Sequence, residues 1–208
     1  MKRSRRFSRL PAGLWLGLTL AMIAGVTLLG PQERSLGAQV RVVYLHGAWV
    51  WTALAAFVAA GAAGLFGLLL HRENLQCWSR ALGHTGLFFW ITYLPLSLWA
   101  MQTSWNGLFL AEPRWRLALV FSISGLLLQT GLSMLENLRW TALVNAVFVG
   151  VLLITLVRTE NVMHPASPIL TTDACLIRLY FYGLLALTLL AAGQIAGIFK
   201  RLAVCRPV

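Results

Sequence analysis

Six runs of roughly twenty apolar residues recur along the 208-residue chain, separated by short polar stretches. They lie at about 10–30, 43–70, 81–101, 117–134, 141–157 and 175–198. Each is long enough to cross the hydrocarbon core of a bilayer as a helix. A backbone in lipid must satisfy its own amides, which leaves helices or a closed barrel. The runs lack the two-residue alternation of barrel strands. The expected fold is therefore all-α: a polytopic membrane protein with six transmembrane helices, forming a single domain over residues 1–208. With 59% hydrophobic and 11% charged residues, the composition exceeds what a soluble core of this size needs.

The net charge of +11 would point to nucleic acid in a soluble chain. Here the basic residues flank apolar runs, where they set orientation and meet anionic lipid head groups, so no nucleic-acid partner is expected and membrane lipid is. If the N-terminus is cytoplasmic, that side collects Lys2, Arg3, Arg5, Arg6, Arg9, Arg72, Arg80, Arg139, Lys200, Arg201 and Arg206. The other side holds Arg34, Arg41, Arg114, Arg116 and Arg158. This imbalance predicts both termini in the cytoplasm and three outer loops, 31–42, 102–116 and 158–174. Loops 71–80 and 135–140 face inward as plain turns. The basic start followed by an apolar run has the charge order of a secretory signal, but the run is too long and lacks a small-residue cleavage site, so it is expected to stay as a first helix. Cys77, Cys175 and Cys205 are far apart and form no CxxC pair, which gives thiol redox chemistry and a zinc site no support.

The chemically varied residues gather in the outer loops. The loop WNGLFLAEPRW, Trp105 to Trp115, combines Trp105, Phe109 and Trp115 with Glu112, Arg114 and Arg116. Such a set serves either as an ordinary interfacial aromatic belt or as an apolar platform with cations for a ligand's carboxylates. His46 and His164 fall on either side of this loop in sequence, each at the outer end of an apolar run. They read either as interfacial residues bonded to backbone and water or as a pair of axial ligands to one haem iron. His71 and His84 belong to the opposite face and could pair only with each other; a second pair would suggest a two-haem electron-transfer protein. The Gly- and Ala-rich second run, with Gly47, Gly61, Gly64 and Gly67, reads as a close-packing face within the bundle.

Three stretches together resemble the cytochrome c assembly family, most closely its CcmC-type haem-handling members. RVVYLHGAWVW is similar to the family's Arg-x-x-Tyr-x-His entry to the second helix, giving Arg41, Tyr44 and His46. WNGLFLAEPRW stands where that family carries its tryptophan-rich WWD domain, with Trp105 at the opening tryptophan, Glu112 at the acid and Arg114 at the arginine. LVNAVFVGVLLITLVRTENVMHPAS resembles the segment that ends in the second histidine, here His164. The resemblance runs from about Arg41 to Ile169. It departs at the inner tryptophan positions, which read Leu108, Phe109 and Ala111, at the aspartate, which is Glu112, and before the second histidine, where Arg158-Thr159-Glu160-Asn161 replaces aromatic residues.

The resemblance implies a carrier of haem in cytochrome c biogenesis, in the plasma (inner) membrane of a bacterium. It implies haem b held transiently between His46 and His164. Trp105, Phe109 and Trp115 would lie against the macrocycle, and Arg41, Arg114 or Arg116 would pair with propionates. Its partners would be an ABC-type complex and a haem chaperone. No nucleophile has an adjacent base, so no enzyme activity is expected. The altered tryptophans leave a second reading, a diverged haem-free assembly subunit of the same system. A b-type electron-transfer subunit is a third.

Overall fold

The computed structural model describes residues 12–163, 169 and 173–202. Among these residues the chain is all-helical, with six helices: α1 (Ala12–Leu28), α2 (Val40–Leu69), α3 (Glu73–Trp105), α4 (Pro113–Leu135), α5 (Leu138–Arg158) and α6 (Cys175–Leu202). Four of them, α2, α4, α5 and α6, are long and apolar enough to cross a membrane. α1, with 17 described residues, is shorter. α3 is the longest at 33 residues but too polar for the same measure, because it buries Gln76, Ser79, Thr85 and Ser97 inside the bundle. A helix surrounded by protein can carry such groups where a lipid-facing one cannot.

The helix boundaries differ from the apolar runs in an instructive way. Residues 71–80 are expected as a turn, yet α3 begins at Glu73 and only residues 70–72 separate it from α2. Hydropathy marks the depth of hydrocarbon, not the end of hydrogen bonding, and Glu73-Asn74-Leu75-Gln76 is a fair helix start. For the same reason the expected loop 102–116 contracts to 106–112, while the expected loop 31–42 shifts to 29–39 because α1 ends at Leu28. Tight turns are closed by non-glycine residues in the left-handed region: His71 (φ 52°), Asn106 (φ 52°) and Glu136 (φ 50°). At the α4–α5 turn, Asn137 caps α5 by accepting from the backbone N–H of Arg139 and Trp140 at 3.0 and 3.2 Å.

The helices run up and down, and contacts along their length fix the order. α2 and α3 form the central pair. Trp49 Nε1 donates to Thr92 Oγ1 at 2.8 Å near one end of that pair, and Gln76 Nε2 donates to Gly67 O at 3.1 Å at the other. α6 lies against α2 through a fully buried hydroxyl pair, Thr52 and Thr188, 2.7 Å apart. α1 docks on α6, where Tyr180 Oη donates to Val26 O at 2.9 Å and Gln194 Nε2 to Thr19 Oγ1 at 3.0 Å. α4 is tied to α3 by buried Trp90, whose Nε1 donates to Ala118 O at 3.1 Å. Bonds of this kind between helices in a membrane contribute about 0.6 kcal/mol each on average. Most of the bundle's cohesion must then come from close packing around Phe57, Phe89, Trp90, Phe181 and Leu184. One end of the bundle carries the connections 29–39, 106–112 and the α5–α6 segment and is called the upper end below.

Candidate functional site

At the upper end, α2 starts beside the end of α1. Arg41, the first residue of RVVYLHG, donates from Nε to Gly30 O at 2.9 Å and so ties the start of α2 to the residue just past α1. Tyr44 is buried, with its ring 5.2 Å from that of Tyr180. His46 is half-buried in the same helix, and its ring stands on Tyr93 of α3, with centroids 5.3 Å apart. Tyr93 is itself packed against Trp90, with ring centroids 5.4 Å apart and planes tilted by 56°. The α2 histidine thus packs on an α3 aromatic residue that neither motif contains.

The loop is held by its own backbone. Asn106 ends α3 in the left-handed conformation, and Glu112 N–H donates to Phe109 O at 2.9 Å. Glu112 then caps α4: its Oε2 accepts from Trp115 N–H at 2.6 Å, with Pro113 in the first helical position. Arg116 Nε donates back to Leu110 O at 3.2 Å. These bonds leave Trp105 half-buried with its ring 5.6 Å from Phe109 in a T-shaped arrangement. Leu108 and Phe109 remain 54% and 40% exposed. Trp115 and Arg114 are half-buried, and Arg116 is exposed. Two of the three arginines expected for propionates therefore already have a backbone carbonyl on Nε.

Glu112 is only 3% exposed, and its Oε1 has no hydrogen-bond partner; Ser104 Oγ and Trp115 Nε1 are also buried and unpartnered. His164 lies outside the described residues. Its downstream neighbour Ile169 is described and rests beside α2, where a Cβ on Gly47 would come within 3.6 Å of Ile169 Cδ1. Tyr93 is the residue least visible in the sequence. Tyr93 sits twelve positions before Trp105, three helical turns deeper, and nothing in its neighbours ties it to His46.

The inner histidines do not make a matching pair. His71 is exposed in the α2–α3 turn. His84 faces Phe199 at 5.7 Å, and its Nδ1 is 2.8 Å from Arg80 O. A carbonyl only accepts, so Nδ1 carries the proton there. Among the described residues no group of three or more His, Cys, Asp or Glu could hold a metal ion.

The 29–39 connection is shaped by one carboxylate. Glu33 Oε2 accepts from Ser35 N–H at 2.8 Å, from Leu36 N–H at 3.1 Å and from the Ser35 hydroxyl. The Ser35 hydroxyl bond above all, then the backbone donors, hold the Glu33 carboxyl below its ordinary value. A depressed carboxylate contributes order that is complete above the free glutamate value of about 4.3 and is lost as pH falls through the lower folded value. Protection of the Ser35 and Leu36 amides relative to their intrinsic exchange rates is expected at neutral pH and should fall only below about pH 4. Glu33→Gln should remove that pH dependence.

Comparison with protein-family models finds no matching family, and comparison with curated proteins finds no match.

Proposed function

We propose that this protein handles haem at the upper end of the bundle, receiving it and presenting it for transfer in cytochrome c biogenesis. The observation that carries the reading is the contact of His46 with Tyr93 of α3, the helix that ends at Trp105 where the tryptophan loop begins. In this reading all six helices span the plasma (inner) membrane of a bacterium, both termini are cytoplasmic, and the upper end faces outward. Ile169, seated beside Gly47, is five residues from His164, a reach of at most about 18 Å.

Haem is cargo here, and the residues present fit one side of it. His46 supplies an imidazole at the mouth of the bundle. Leu108 and Phe109 supply exposed apolar surface, and Arg114 supplies a cation for a propionate. His46 and His164 would hold the haem iron, Trp105, Phe109 and Trp115 would offer it apolar surface, and Arg41, Arg114 or Arg116 would pair with its propionates. The protein makes and breaks no bonds of its own in this scheme; it is a carrier, working with an ABC-type complex and a haem chaperone as the resemblance implies.

The test is spectroscopic. Purified protein mixed with haem b is expected to give a six-coordinate, bis-histidine low-spin spectrum that His46→Ala or His164→Ala abolishes. An unchanged spectrum in both variants would overturn the ligand assignment. A second reading, a haem-free assembly subunit, is favoured by the same loop: aliphatic Leu108 and Ala111 replace indoles, and Arg41 and Arg116 bond backbone carbonyls. Absence of haem uptake together with a copurifying membrane partner would select it.

A further inference from the structure

α4 carries its outward side as one unbroken stripe. Arg116, Val120, Ile123, Leu127 and Met134 recur at helical spacing, and all are exposed. The opposite side, with Ala118, Ser122, Gly125 and Gln129, is buried against the bundle. The helix is one of the four long and apolar enough to cross a membrane, so the exposed stripe is its lipid-facing side. From Glu136, which turns the chain at the lower end, up to Arg116 the axis rises about 30 Å. A typical hydrocarbon core is about 30 Å thick. With Glu136 at one boundary of that core, Arg116 stands at the other.

The tip of the 106–112 loop is tied to the top of this stripe. Arg116 Nε donates to Leu110 O at 3.2 Å, which draws Leu110 down beside the first turn of α4 on its outer side. The turn behind it is closed by Glu112 N–H on Phe109 O at 2.9 Å. Leu108, Phe109 and Leu110 are 54%, 40% and 48% exposed, and Ala111 is exposed as well. Three large apolar side chains in a row, fixed by backbone bonds at the height of the hydrocarbon boundary, are poorly matched to water and well matched to a lipid leaflet. Half-buried Trp105 and Trp115 bracket the tip, and tryptophan is the residue type that settles at this depth. Because Arg116 meets the carbonyl through Nε, its two terminal nitrogens remain as donors suited to a lipid phosphate.

We propose that Leu108, Phe109 and Leu110 form a membrane-interface anchor, seated where acyl chains meet head groups at the upper end of the bundle, with Arg116 on a lipid phosphate. The loop then lies in the leaflet and not in the water above it, and the Arg116–Leu110 bond sets its depth. The anchor stands independently of the haem reading, in which a macrocycle would reach Leu108 and Phe109 by displacing lipid from them.

Photo-crosslinking of the full chain in nanodiscs of phosphatidylcholine and phosphatidylglycerol tests this. Benzoylphenylalanine replaces Leu110 in one chain, lipid-facing Val120 in a second, and Gln32, an exposed polar residue of the 29–39 connection, in a third. Lipid adducts are then counted by mass spectrometry. The Leu110 position is expected to give lipid adducts at a yield comparable to Val120 and several-fold above Gln32. Arg116→Ala removes the tie and should lower the Leu110 yield several-fold, while an unchanged Val120 yield in the same variant reports that α4 still sits in the bilayer. A Leu110 yield no higher than that of Gln32, a Leu110 yield unmoved by Arg116→Ala, or adducts to a second protein chain in place of lipid would overturn the proposal.

Discussion

Gly64→Val is expected to lose most of the folded protein. A Cβ at Gly64 would lie 2.6 Å from Ala142 O, 3.1 Å from Ala142 Cα and 2.8 Å from Ser79 Oγ. Two of these atoms are backbone of α5, which cannot turn aside as a side chain can. α2 and α5 must therefore separate, and Ser79 is pulled from the amide of Asn145 at the same time. Overpacking of this kind costs about 1–3 kcal/mol, and loss of the Ser79–Asn145 bonds adds about 0.6 kcal/mol for each. Gly64→Ala should show a smaller loss in the same direction. Gly61→Ala is the internal comparison, because its Cβ meets chiefly the Val149 side chain at 2.5 Å, which can rotate. Gly13→Ala and Gly17→Ala meet nothing within 4 Å. They should be neutral or slightly stabilising, since alanine is the better helix former by up to about 1 kcal/mol. Thermal unfolding in detergent, followed by tryptophan fluorescence, orders the four positions. A Gly64→Val midpoint equal to that of Gly17→Ala would sink the packing argument.

That ordering also shows where the sequence is legible and where it is not. The small residues of α2 mark it as a close-packing helix, because only glycine and alanine let backbones approach in a bundle. Which glycine touches backbone and which faces open space depends on rotation about the helix axis, and a run hydrophobic on every side carries no signal of that rotation. α3 was partly legible for the same physical reason. Its apolar middle stands out, but its ends, Glu73 to Arg80 and Gln102 to Trp105, read as loops because they are polar. Buried polar residues such as Gln76 and Ser79 are bonded inside the bundle and need no hydrocarbon. The site behaved likewise. The place of His46 at the end of an apolar run and the aromatic character of the loop from Trp105 to Trp115 are legible in the sequence. Tyr93 is not, since it is one aromatic residue among many in α3 and meets His46 only through the pairing of α2 with α3.

Glu112 offers the sharpest separation of roles at the upper end. Its side chain performs one visible task, accepting from Trp115 N–H at 2.6 Å as the N-cap of α4, while its other oxygen is buried without a partner. Removing the cap with Glu112→Ala is expected to cost about 0.5–2 kcal/mol. It should also release Trp115 and the loop behind it, because the same substitution leaves that backbone N–H without its acceptor. Glu112→Gln keeps an oxygen for Trp115 N–H and should retain most of the stability. Glu112→Asp is the informative variant. Aspartate is among the preferred N-cap residues, so it should hold α4 as well as glutamate does, but its shorter chain draws back the second, unpartnered oxygen. The expected stability order is therefore glutamate, aspartate and glutamine close together, with alanine well below. Tryptophan fluorescence of the loop, read from single-tryptophan chains keeping Trp115, should be shifted to longer wavelength only in Glu112→Ala. If aspartate falls with alanine, the contribution of Glu112 lies in the placement of that second oxygen and not in the cap.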